Sequence, residues 1–246
     1  MKVRLRETST RIPICGIVIA ILLVVGVQCP SFAQNPQLQT KNGLAFATVI
    51  FTHTFATETP RFYSIAIDST GSTTYQSAPA SLAQSGVPYE LEFTASPDTK
   101  DQVFRIVGEL RFFRPPVTGI RAPIESESVN TLTFREANID PANINNDNEI
   151  TYHSATNSGI EQLTDIFERI SETLEFGRQL SNLHEQRSPQ IAAVLERMQD
   201  LARGHRLLEL FVVTPVLQQI ASDENMKELA RSRARAVLHY AQSSAH

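Results

Sequence analysis

The chain has no tryptophan and only two cysteines among its 246 residues. Without indole rings, it lacks the usual stacking platform of a sugar site. Both cysteines, Cys15 and Cys29, precede the cleavage point argued below. A cleaved chain would therefore have no disulfide, no thiolate nucleophile and no cysteine metal ligand, and packing alone would stabilise it. The sequence also lacks a Gly-x-Ser-x-Gly elbow, a phosphate-binding glycine-rich loop and a dinucleotide fingerprint. A zinc protease places two histidines around its glutamate, and the run His184-Glu185-Gln186-Arg187-Ser188 has no second histidine. There is no internal repeat and no Gly- or Pro-rich linker. Hydrophobic residues make up 41% and charged residues 20%. That balance suits a globular chain and argues against disorder, and the length allows one or two domains.

The first residues are read as a targeting segment. Lys2, Arg4, Arg6 and Arg11 form a positive region, residues 14–27 are almost uninterruptedly apolar, and Ser31-Phe32-Ala33 places small residues before Gln34. This is the pattern of a secretory signal peptide, residues 1–33. The alternative is a membrane anchor through residues 14–27, but a comfortable span takes about 20 apolar residues. Lipidation at Cys29 is disfavoured because Gln28 is not small. Removing residues 1–33 takes Lys+Arg from 22 to 18 and Asp+Glu from 26 to 25, a net charge near −7. An acidic chain is a poor match for nucleic acid, whose phosphates need a basic surface. The expected location is the periplasm or outside the cell, with no membrane span after cleavage.

Residues 34–44 read as a polar tether, and residues 45–155 as a strand-rich α+β region. Residues 45–51 are β-branched and aromatic, as in a strand covered on both faces. Residues 61–76 read as a hairpin in which Tyr63, Ile65 and Ile67 share one face and Asp68-Ser69-Thr70-Gly71 turns. Tyr89, Leu91 and Phe93 alternate with Glu90, Glu92 and Thr94. Ser96-Pro97 opens a helix with Val103, Ile106, Val107 and Leu110 inward, stopped by Arg114-Pro115-Pro116. Residues 131–135 and 149–154 supply two further strands, with Leu132, Phe134, Ile150 and Tyr152 inward.

Residues 156–246 read as helical. The longest amphipathic stretch is 158–183, where Ile160, Leu163, Ile166, Phe167, Ile170 and Leu174 form one apolar stripe. Ser158 and Glu161 have the spacing of a capping box. Glu161, Gln162, Asp165, Glu168, Arg169 and Glu172 occupy the wet face, and Gly177 is a candidate bend. This helix is expected to cover the sheet and also to pack on the next helix. That next helix starts at Ser188-Pro189 and carries a stripe from Ile191 to Leu208. Thr214-Pro215 breaks or restarts it. A last helix opens with Asp223 and Glu224, and its Arg231, Arg233 and Arg235 would suit the negative end of the helix dipole.

Few side chains are candidates for chemistry. Asn143, Asn145, Asp147 and Glu149 alternate as oxygen ligands do in a calcium loop, yet Asn148 and Ser154 stand where an EF-hand needs Gly and Glu. A solvated link between strands is the plainer reading, so no metal and no cofactor are expected. His205 and Glu209 read as a surface helix pair. His153 reads as solvated, and His53, in phase with Val49 and Phe51, as a satisfied buried histidine. No catalytic residue emerges.

The stretch Phe62-Tyr63-Ser64-Ile65-Ala66-Ile67-Asp68-Ser69-Thr70-Gly71, ending its pattern at Tyr75 and followed by the Glu-rich strand and the helix after Pro97, resembles uncharacterised modules of exported bacterial proteins. In those a Tyr-x-Ile-x-Asp-x-x-Gly-x-x-x-Tyr hairpin precedes a helix and further strands. The resemblance covers about residues 45–155. Small proteinaceous inhibitors of secreted proteases are loosely similar in strand and helix order. The resemblance implies an exported α+β module and assigns no catalytic residues. The expectation is an α+β protein with an antiparallel strand-rich region and a C-terminal helical hairpin or bundle. Its expected role is non-enzymatic binding of a protein or envelope partner. The alternatives are a hydrolase with an unrecognised site and a structural envelope component tethered by an uncleaved N-terminus.

Overall fold

The computed structural model describes residues 46–56, 61–78, 88–124, 127–136 and 147–243. The expected signal peptide (1–33), the tether (34–44), Asn143 and Asn145 lie outside the described residues.

The fold is α+β. Strands β1 (Thr48–Thr54), β2 (Phe62–Asp68), β3 (Ser72–Ala78) and β4 (Tyr89–Thr94) lead into helix α1 (Pro97–Glu109). Short strand β5 (Ile120–Arg121) and strands β6 (Val129–Arg135), β7 (Asp147–Tyr152) and β8 (Ser154–Ala155) follow. The remainder is helical: α2 (Ser158–Glu185), α3 (Ile191–Arg203), α4 (Thr214–Ser222) and α5 (Glu228–Ser243). Six strands form one antiparallel sheet in the order β4-β3-β2-β1-β6-β7, and β5 pairs with β8 apart from it.

The β2–β3 hairpin forms because its turn is chemically specified. The Asp68 carboxylate accepts hydrogen bonds from the Thr70 and Ser72 amides at 2.8 and 2.9 Å, and Gly71 takes φ +91°, which a side chain would resist. Alternation then puts Val49, Phe51, Ile65, Ile67, Leu132 and Ile150 on the face covered by α1 and α2. The opposite face is polar and joined side chain to side chain across strands: Thr52 to Ser64 at 3.1 Å, Gln76 to Glu90 at 2.8 Å, Thr133 to Glu149 at 3.3 Å. On that face Ile50 and Thr52 of β1 are only half-buried, so the strand is fully covered on one side, not both.

Ser96 caps α1 and Pro97 takes its first position, as the sequence indicates. The helix ends earlier than its prolines, because Arg111, Phe112 and Phe113 adopt left-handed φ of 53, 58 and 59°. Such a turn costs about 1–2 kcal/mol per residue. Burial of Phe113 and packing of Phe112 on Phe134, 4.8 Å between ring centres, oppose that cost.

Helix α2 organises everything else. Its 28 residues run about 42 Å at 1.5 Å per residue. Residues Ile160 to Leu174 bury their stripe against the sheet and α1, while Phe176 and Leu180 enter a second core with α3, α4 and α5. One helix thus belongs to both cores. Its N-cap is Asn157 rather than Ser158: the Asn157 side-chain Oδ1 accepts from the Gly159 and Ile160 amides at 3.1 and 3.3 Å. The helix passes through Gly177 unbroken, and a Cβ there would lie 2.5 Å from Val213 Cγ1. Close approach of the turn Leu210–Val213 explains the glycine.

The last helices begin later than their sequence signals. Ser188 closes a turn by accepting from the Gln190 amide at 3.3 Å, and α3 starts at Ile191. Pro215 does restart a helix, at the first turn of α4. Asp223 closes a turn on Asn225 instead of opening α5. Because α5 starts at Glu228, its arginines occupy the first half and not the last turn, so the dipole does not account for them. Arg231 and Arg235 pair with Glu228, and Arg233 reaches α3, donating to the Ala192 carbonyl at 2.8 Å. No helix among the described residues is long and apolar enough to cross a membrane.

Candidate functional site

Moving along the strands, the helix-covered face changes character. Two registers across the sheet are largely apolar, but the last reads Tyr89, Ser77, Tyr63, His53, Asn130, Tyr152, one residue from each of six strands. Buried polar groups need partners, and α2 supplies several of them. The Tyr152 hydroxyl lies 2.6 Å from Thr164 Oγ1, and Tyr75, one register inward, lies 3.3 Å from Ser171 Oγ. Glu175 Oε1 accepts from Tyr75 and Ser77 at 2.8 Å each, while its Oε2 takes Arg178. His53 Nδ1 donates to the Asn130 amide oxygen at 2.5 Å.

This seam opens into a cleft of 810 Å³ between the end of the sheet, the exposed side of α2 and Arg197 of α3. That volume is within the range of ligand sites. One wall is aromatic: Phe55 packs 4.1 Å from His53 and 6.0 Å from Tyr63, and His53 stacks on Tyr63 at 5.5 Å. The other wall is α2, presenting Glu168, Glu172 and Phe176. At its far end Arg197 lies 5.6 Å over the Phe176 ring and 3.4 Å from Glu172.

Protonation follows from these surroundings. Burial pushes Tyr63 and Tyr75 far above the usual phenol range, with Glu168 and Glu175 respectively the next causes. Burial likewise pushes Tyr152 up to about 12. Glu168 is held above the usual carboxylate range, first by desolvation and then by the charges of Asp165 and Glu172.

The residues singled out in the sequence fall elsewhere. Asp147 and Glu149 lie on the polar face of β7, where Asp147 pairs with Arg135 at 2.8 Å and Glu149 accepts from Thr133. Among the described residues no three His, Cys, Asp or Glu side chains converge as metal ligands do. His205 and Glu209 are not on a helix face: both adopt left-handed φ, 52 and 57°. Glu209 is buried and accepts from the Ser96 amide at 3.0 Å and the Ser96 hydroxyl at 2.8 Å, a second cap for α1. His184 pairs with Asp223 at 2.9 Å, not with its neighbour Glu185. His153 is half-buried, its Nδ1 2.9 Å from the Ser128 carbonyl. His53 is the buried, bonded histidine that its phase indicates.

Sequence reasoning placed Glu168 and Glu172 on a wet face and overlooked the cleft they line. The available signal was that inward positions at one end of the strands are Tyr, His, Asn and Ser instead of aliphatic. Comparison with protein-family models gives no match for this chain, and comparison with curated proteins gives none.

Proposed function

We propose that this chain is an exported bacterial protein that binds a protein or envelope partner through the cleft and performs no catalysis there. One observation carries the reading: the polar groups of the cleft floor are engaged with one another. A general acid or base must be free to exchange a proton with substrate. His53 Nδ1 is held by Asn130, and Glu175 is shared by Tyr75, Ser77 and Arg178. What remains is a pre-shaped surface of aromatic faces and charges, which suits recognition.

A second reading, a hydrolase, draws on Glu168, whose raised pKa beside Glu172 in the same cleft suits proton transfer. A pull-down from the exported fraction tests both. The full chain should retain one stoichiometric partner, and the double variant Phe55→Ala, Glu172→Ala should lose it. Equal retention by the variant, or nothing retained above an unrelated control, overturns the binding reading. Turnover of a substrate that Glu168→Gln abolishes would put the hydrolase in its place.

A further inference from the structure

We infer that the outer edge of β4 receives an extended segment of a protein partner, added antiparallel to the six-stranded sheet, with basic residues opposite Glu90 and Glu92 and apolar residues between them. This surface is additional to the cleft, which no β4 residue lines.

Strand β4 pairs with β3 alone, in unbroken register from Tyr89 opposite Ser77 to Thr94 opposite Ser72. The register continues to Ala95, whose amide donates to the Gly71 carbonyl at 2.8 Å. In an antiparallel ladder alternate residues turn both backbone groups to the same side. Tyr89, Leu91 and Phe93 therefore bond to β3, while Glu90, Glu92 and Thr94 turn their N–H and C=O outward. The devices that blunt an edge strand, a proline, a lysine or a bulge, are missing from β4. The opposite edge differs, because the turn Arg111–Phe113 packs beside β7.

Side chains select the strand that this edge admits. Tyr89, Leu91 and Phe93 belong to the helix-covered face yet stay half-exposed, an apolar rim that a further strand would cover. Glu90 and Glu92 are exposed on the polar face, and Gln76 offers Glu90 only a neutral amide donor, at 2.8 Å. A residue opposite an outward-turned position shares the face of that position's side chain, so a lysine or arginine there would meet each carboxylate directly. The net charge of −4 favours the same partner. A second copy of the chain is disfavoured by these charges. With the outward residues of two β4 strands fully overlapped, Glu92 would face its own counterpart, and a slip of two residues would set Glu90 against Glu92.

The test is calorimetric titration of the full chain at low salt with N-acetyl-Thr-Val-Lys-Val-Lys-Val-amide, whose lysines fall opposite Glu92 and Glu90 in the antiparallel register. It should bind, and glutamate in place of both lysines should weaken it by about tenfold or more. Methylating the two lysine amide nitrogens, which face β4, should abolish binding at unchanged charge; methylating the first two valine amide nitrogens, which face away, should be tolerated. Glu92→Lys should erase the preference between the lysine and glutamate peptides, while Glu185→Lys, an equal change in net charge on the last turn of α2, should leave it. No binding of either peptide, or equal affinity of the unaltered chain for both, overturns the inference. So does a lysine peptide that binds as well with its lysine amides methylated, since charge attraction without strand pairing would then account for it.

Discussion

Replacing Gly177 with alanine sets two known effects against each other, and the tertiary contact decides the sign. In an exposed helix interior the change stabilises by about 1 kcal/mol. Here the new Cβ would meet Val213 Cγ1 at 2.5 Å and Val213 Cβ at 3.3 Å, inside the second core. Val213 cannot swing away cheaply, because it is buried and its branched side chain has few rotamers. Overpacking of this kind costs about 1–3 kcal/mol, so Gly177→Ala should destabilise by about 1 kcal/mol net. Val213→Ala alone should cost about 2 kcal/mol as a truncation in a core. In that background the 2.5 Å clash is gone and only the 3.3 Å approach to the Cβ of residue 213 remains, so Gly177→Ala should stabilise by up to about 1 kcal/mol. Denaturant unfolding followed by circular dichroism measures all four members of the cycle without needing a tryptophan. The reasoning is refuted if Gly177→Ala has the same sign in both backgrounds.

Two further outcomes follow from buried polar groups. Glu209→Ala removes two charge-assisted bonds to Ser96 and should cost about 2 kcal/mol, with Glu209→Gln losing less; unchanged denaturation midpoints for both would show that the second cap is inert. For Tyr63, Tyr75 and Tyr152 the folded pKa lies above the unfolded value of about 10, so the native state binds more protons above that pH. Their contribution is therefore fully present below pH about 10 and is lost as pH rises beyond it. Unfolding and tyrosinate absorbance should appear together, and three phenols that ionise in the still-folded protein would contradict their burial.

Much of the fold was legible in local pattern. Alternation in Tyr63, Ile65 and Ile67 and the Asp68–Gly71 turn specify the hairpin, because both act within a few residues. The apolar stripe of α2 and the Ser96-Pro97 start of α1 are of the same kind. Less legible were starts that depend on distant partners. Asp223 and Glu224 resemble a helix opening, yet Asp223 caps a turn and pairs with His184, so α5 begins only at Glu228. His205 and Glu209 have helical spacing, but the chain turns left-handed at both and carries Glu209 into the interior beside Ser96. The candidate site was hardest to read, since Glu168 and Glu172 have the periodicity of solvated residues and only the aromatic wall opposite makes them part of a cleft.

The sequence by itself determined the α+β class, the faces of the strands, the turn chemistry and the central helix with its apolar stripe. These depend on backbone preference and on periods of two and 3.6, which neighbouring residues express without help. Only the tertiary structure decided the strand order β4-β3-β2-β1-β6-β7, the division of α2 between two cores, and the seam where Glu175 meets Tyr75 across 100 residues of chain. A half-buried carboxylate and a buried phenol carry no local signature of their pairing. Each accepts whichever partner the packing of sheet and helix brings within hydrogen-bond reach.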